Sequence, residues 1–176
     1  NTGFFFFFSI DTDVKHVTSY EGNSAHAHFL SYATELLDLN NIIDVKNEYY
    51  SFTDTKKYDV CFLLNVIHHL GDDYGDKFLR IEKAKEFMIQ QLNKMSSICE
   101  TLVFQIGFNW KGNIENCFFE KGTKQEMIDF IEKGTLGYWD IEYIGIAEIS
   151  ADGIVYNDIS PSNLQRKDEL GEFLNR

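Results

Sequence analysis

The chain has 176 residues, 44% of them hydrophobic, which suits one domain with a sizeable core. Its formal net charge of −12 argues against a general nucleic-acid binder, whose surface must meet phosphates with positive charge, and against docking on anionic membranes. A small or neutral substrate fits that balance better.

No stretch reaches the roughly 18–20 apolar residues of a membrane span. The opening NTGFFFFFSI lacks the basic leader and small-residue cleavage site of a signal peptide. It also lacks an initiator methionine, and both ends read as truncations. In chain order, Phe4 to Phe8 reads equally as strand or buried helix. His16 to Tyr20 predicts a short strand closed by the turn Glu21-Gly22-Asn23. Ser24 to Leu39 predicts a helix, with Phe29, Ala33, Leu36 and Leu37 at helical spacing and Asn40-Asn41 as its stop. Ile42 to Lys46 predicts a second strand. Tyr58 to Val66, YDVCFLLNV, is the strongest strand signal, nearly all apolar, as expected when both faces are covered in a parallel sheet. Asp76 to Ile98 predicts a long helix, striped by Phe78, Ile81, Ala84, Met88, Leu92 and Met95. Thr101 to Phe108 predicts another buried strand. Thr123 to Lys133 predicts a helix opened by a Thr123–Glu126 capping box and stopped by Gly134. Ile141 to Ile149 and Ile154 to Ile159 predict a closing hairpin around Asp152-Gly153. The polar tail from Ser162 onward predicts a helix that could fold over a site, with Arg166 and Lys167 as local positive charges.

Strands alternating with helices imply an α/β fold: a Rossmann-like three-layer sandwich, mostly parallel, with an antiparallel C-terminal hairpin. Ligands in such sheets sit beyond the carboxyl ends of the strands. Four such places carry chemistry. Gly3 opens a turn that lets a ligand approach the backbone. Glu21 ends the HVTSY strand, where a carboxylate accepts both hydroxyls of a ribose or is simply a solvated turn residue. Asn47, Glu48 and Tyr49 offer a polar edge and a flat face, or an ordinary loop. Asn65, His68 and His69 end the strongest strand. If that strand continues, the adjacent histidines point to opposite sides, one toward the cleft and one into the structure. Zinc is disfavoured because adjacent side chains diverge and no ligand sits at the right spacing. Asp72 and Asp73 could join a third ligand around Mg²⁺, but read better as a helix N-terminal charge pair before Asp76-Lys77, so no metal is expected. After the next strand, Asn109 and Lys111 could bind polar groups, while Trp110 offers a face to a sugar or aromatic ring. The three cysteines, Cys61, Cys99 and Cys117, are far apart and form no Cys-x-x-Cys pair. They read as reduced thiols and favour a cytoplasmic protein.

KKYDVCFLLNVIHHL resembles the fourth-strand motif of class I S-adenosylmethionine-dependent methyltransferases, an aspartate and hydrophobic run ending in a His-Leu pair. NTGFF resembles the second half of their glycine motif, and YEGN the acidic end of their second strand. The resemblance covers residues 1 to about 108 and implies a single methyltransferase domain over 1–176, with the first strand of the family missing upstream. It implies that Gly3 borders the methionine part of S-adenosylmethionine, that Glu21 holds the ribose hydroxyls, and that Asn47 or Glu48 meets the adenine amino group beside Tyr49. It further implies that Asn65 lines the methionine end and that His69 or His68 faces the substrate as general base. The expected reaction is O- or N-methylation of a small molecule, with a sugar or polysaccharide intermediate as one acceptor class. The alternatives are a Rossmann-type NAD or nucleotide-sugar enzyme, against which NVIHHL argues, and a non-catalytic methyltransferase-like binding protein.

Overall fold

The computed structural model describes Phe8, Ile10 and residues 12–53, 55–113, 115–151 and 153–165. Gly3, the segment Phe4 to Phe7, Asp152, Arg166 and Lys167 lie outside the described residues. The chain divides into two compact units, Asn1–Ser51 and Phe52–Arg176.

In the first unit, strand β1 (Val17–Tyr20), helix α1 (Ser24–Leu36) and strand β2 (Ile43–Lys46) follow one another. The strands are parallel, with Val17 opposite Ile43 and Tyr20 opposite Lys46. A parallel pair cannot be joined by a tight turn, and α1 supplies the crossover. Asn23 caps α1, its side chain accepting from the N–H groups of Ala25 and His26. The helix stops three residues before the expected end, because Asp38 adopts a left-handed φ of 56°. Leu30 and Ile43 are the buried centre, with Ile10, Val17, Leu39, Ile42 and Val45 packed around them.

In the second unit, β3 (Tyr58–Leu64) and β4 (Cys99–Gln105) form a parallel pair, Tyr58 opposite Cys99 and Leu64 opposite Gln105. Between them runs α2 (Ile81–Met95), which buries Ala84, Met88, Leu92 and Met95, a stripe at helical spacing. This helix starts five residues later than the spacing predicts. Residues 76–78 instead turn on themselves, Asp76 Oδ1 accepting from the Phe78 N–H, and the Phe78 ring is 93% exposed rather than on the stripe. The expectation that β3 is covered on both faces also fails. Side chains alternate along a strand; Leu63 is buried, while Val60 and Phe62 on the opposite face are 48% and 51% exposed.

Helix α3 (Lys124–Thr135) opens with the expected capping box, but it runs through Gly134 and ends before Gly137, whose φ is 82°. Strands β5 (Gly145–Ser150) and β6 (Gly153–Asp158) make the antiparallel hairpin, with Gly145 opposite Asp158. A single turn, α4 (Pro161–Leu164), follows, capped by Ser160. Among the described residues the six strands pair only in twos: two parallel pairs and one antiparallel hairpin, a mixed α/β architecture. No helix among the described residues is long and apolar enough to cross a membrane.

Candidate functional site

The expected site residues fall into two groups, one in each unit. In the first, parallel pairing brings the carboxyl ends of β1 and β2 side by side, and the Glu21 N–H continues the ladder by donating to the Lys46 carbonyl at 2.9 Å. Glu21 therefore stands beside Asn47. Its Oε1 accepts from the Asn23 N–H at 2.8 Å, and its Oε2 lies 3.9 Å from His26 Nδ1. The carboxylate thus helps shape the start of α1, where negative charge suits the helix N-terminus. A carboxylate has about four lone-pair sites, so acceptor capacity remains. Asn47, Glu48 and Tyr49 are exposed. The Tyr49 ring lies so close over Gly22 that a side chain there would overlap it, at 2.3 Å from Cβ to Cε1. The glycine is what lets the ring sit flat on the turn.

In the second unit, β3 ends at Asn65, whose N–H donates to the Gln105 carbonyl at 3.0 Å and whose side-chain amide donates to Gln105 Oε1 at 2.8 Å. Asn65 has a φ of 57°, a left-handed conformation that asparagine tolerates better than most residues. It turns the chain out of the strand and into a 3₁₀ turn, Ile67–His69. The two histidines are therefore not on a strand, and the expectation that they diverge is corrected: their ring centroids are 4.4 Å apart. His68 is buried, and its Nδ1 accepts from the Gly107 N–H at 3.1 Å, which leaves the ring proton of that neutral tautomer on Nε2. Its neighbour His69 is partly exposed, with Nδ1 directed at the carboxylates of Asp73 and Asp72, 3.6 and 3.9 Å away.

The loop after β4 meets this turn. Trp110 donates its indole N–H to the Leu70 carbonyl at 2.8 Å. The Lys111 ammonium lies 4.5 Å from the centre of the Trp110 ring, a cation–π distance. Lys111 itself has a φ of 57°, in a region few lysines occupy. Asn109 is buried and faces inward, its Oδ1 accepting from the Cys117 thiol at 3.4 Å. Asn65, His69, Trp110 and Lys111 are thus gathered at the carboxyl end of the parallel β3–β4 pair, while His68 and Asn109 are built into the structure beneath.

The sequence reading did not assign Gln105, whose amide links the Asn65 side chain to the Tyr156 hydroxyl of β6. Nor did it assign Gly107, where a Cβ would stand 2.9 Å from His68 Nε2. A glycine inside the apolar run Thr101 to Phe108 was the available signal, since it marks a place where another group comes close. The helix-cap role expected for Asp72 and Asp73 is not what the structure shows, because α2 begins at Ile81 with Glu82 as its first-turn acid. Cys61, Cys99 and Cys117 form no disulfide, and burial pushes the Cys99 thiol up from its ordinary pKa. Comparison of the chain with family models, with curated proteins and with solved structures finds no match.

Proposed function

We propose that the chain is an S-adenosylmethionine-dependent methyltransferase that methylates an oxygen or nitrogen of a small molecule in the cytoplasm, on a Rossmann-like three-layer sandwich. The observation that carries the reading is the gathering of Asn65, His69, Trp110 and Lys111 at the carboxyl end of the parallel β3–β4 pair. That is the end at which open α/β sheets hold ligands. The motif NVIHHL, which follows β3, supplies two of these residues. A Rossmann-like sheet also requires further strands beside β1 and β3, each of which has one strand partner among the described residues.

The cofactor would supply an electrophilic sulfonium methyl, and the protein would supply alignment and a base. Glu21 would accept the ribose hydroxyls, with Asn47 or Glu48 at the adenine edge and Tyr49 at its face. Gly3 and Asn65 would border the methionine end. His69, the more exposed histidine, would take the proton of the acceptor, and His68 would hold the turn that presents it. Trp110 and Lys111 would receive the acceptor, with Asn109 securing their loop.

The test is a calorimetric titration of the chain with S-adenosylhomocysteine, with NAD as the comparison. Binding of the first and not the second is expected. Glu21→Ala should weaken it about ten- to a hundredfold, the value of a charge-assisted bidentate contact. No binding of S-adenosylhomocysteine, or preferential binding of NAD, would overturn the reading. With an acceptor in hand, His69→Gln should lower kcat about 10²–10⁴-fold while cofactor affinity holds. An unchanged kcat would remove His69 from the role of base.

A further inference from the structure

We propose that His69, Asp72 and Asp73 form a site for one divalent transition-metal cation. The three residues offer an imidazole nitrogen and two carboxylate oxygens that all lie within 4.8 Å of one another. His69 Nδ1 is sealed from solvent yet makes no hydrogen bond, with a carboxylate oxygen of Asp73 at 3.6 Å and one of Asp72 at 3.9 Å. A buried polar atom without a partner is costly. A cation at that point would satisfy the nitrogen and both carboxylates together.

The spacing suits such an ion. Ligand atoms stand about 2.0–2.2 Å from a first-row cation, which puts neighbouring ligands roughly 3.0–3.5 Å apart in octahedral or tetrahedral arrangement. The observed separations are wider, 3.6 and 3.9 Å from the ring nitrogen and up to 4.8 Å within the set. Both aspartate side chains are 53% exposed, so they can rotate toward the ring nitrogen and leave the outer positions to water. The backbone holds the three together, because the N–H groups of Asp72 and Asp73 both donate to the His69 carbonyl, at 3.0 and 3.2 Å. Gly71, with a φ of 86°, makes the reversal that returns the aspartates over the ring. One imidazole with two carboxylates favours Mn²⁺ or Zn²⁺ over Ca²⁺ or Mg²⁺, whose sites are built from oxygen alone.

Neither aspartate makes an ion pair with a lysine or arginine among the described residues. The ammonium of Lys111 lies 3.5 Å from where a Gly71 Cβ would stand. Metal binding and general-base catalysis are alternative uses of His69, since a nitrogen bound to a cation cannot take a proton. Cation binding here requires neither cofactor nor acceptor, so it can be measured independently of methyl transfer.

The experiment is electron paramagnetic resonance of Mn²⁺ added to the 176-residue chain. Loss of the free-ion signal at one ion per chain is expected, with nitrogen coupling from the imidazole in the spin-echo spectrum of the bound ion. Asp72→Asn with Asp73→Asn should weaken binding at least tenfold, since even outer-shell changes at metal sites cost about 10–100-fold. His69→Gln should abolish the nitrogen coupling. Absence of stoichiometric binding at about 1 mM ion, a concentration equal to a very weak site's Kd, would overturn the proposal. So would bound Mn²⁺ without nitrogen coupling in the unaltered chain, a result that needs no variant to fold. Retained affinity in a folded double aspartate variant would overturn it as well.

Discussion

His68 and His69 differ in one backbone position and in almost everything else. The first is held by the Gly107 N–H, in space that a side chain at Gly107 would occupy, and so couples the end of β3 to the loop after β4. The second is left at the surface of the same turn, facing Asp72 and Asp73. Below them lies Tyr74, whose hydroxyl donates to Gln91 Oε1 at 3.1 Å and to the Ile67 carbonyl at 3.4 Å. Burial, and then the negative charge of Asp73, raises the Tyr74 pKa above the ordinary tyrosine range. The neutral phenol is therefore favoured in the fold. Above about pH 10 the unfolded chain gives up this proton while the folded chain keeps it, so the unfolded state binds fewer protons and stability falls as pH rises. Denaturation measured from about pH 9 to pH 11 should show that decline, and Tyr74→Phe should make it shallower. Equal slopes for the two proteins would contradict the assignment.

At the scale of elements, local chemistry and burial disagree in instructive places. The start of α3 is decided locally: Thr123 Oγ1 accepts from the Glu126 N–H at 3.3 Å, and the Glu126 carboxylate accepts from the Thr123 N–H at 3.4 Å. Thr123→Ala should cost about 1 kcal/mol, equivalent to about 2–4 °C in Tm for a chain of this length. Thr123→Ser should restore most of it. A Tm unchanged in the alanine variant would show that the cap contributes nothing. The start of α2 has no such device: Arg80, its N-cap, makes no side-chain capping bond. With no cap to mark it, the boundary could not be placed from periodicity, and the apolar Phe78 looked like part of the stripe. Strand β3 shows the reverse error. Its composition suits burial on both faces, but whether a second layer covers Val60 and Phe62 is not a property of the strand.

For the whole chain, charge is the strongest global term. There are 28 acidic against 16 basic side chains. Like charges in a compact state repel one another and lower its stability. Raising the salt from about 0.01 M to 0.15 M shortens the screening length from about 30 Å to 8 Å. The Tm should therefore rise over that range, as scanning calorimetry in a non-coordinating salt would show. A fall in Tm would mean that attractive ion pairs outweigh the excess of carboxylates. The same excess leaves local positive charge conspicuous, which is why Lys111, beside Trp110 and near Gly71, matters more than one lysine usually does.

By itself the sequence determined the order of strands and helices, the parallel relation implied by helical crossovers, the Asp-Gly hairpin and the Thr123 capping box. These rest on short-range rules: side-chain period, backbone preference and hydrogen bonds between near neighbours. It also marked Asn65, His68, His69, Trp110 and Lys111 as residues at strand ends. Only the tertiary structure decided what each does there. His68 and Asn109 turned inward because bonding groups were present to meet them, the Gly107 N–H 39 residues from His68 and the Cys117 thiol eight residues from Asn109. His69 met Asp72 and Asp73 because Asn65 took a left-handed conformation and β3 ended in a 3₁₀ turn, which replaced the alternation expected of a strand. Which face of a strand is covered, and which polar group finds a partner 39 residues away, as His68 finds Gly107, depends on the packing of elements far apart in the chain. No local window of residues contains that information.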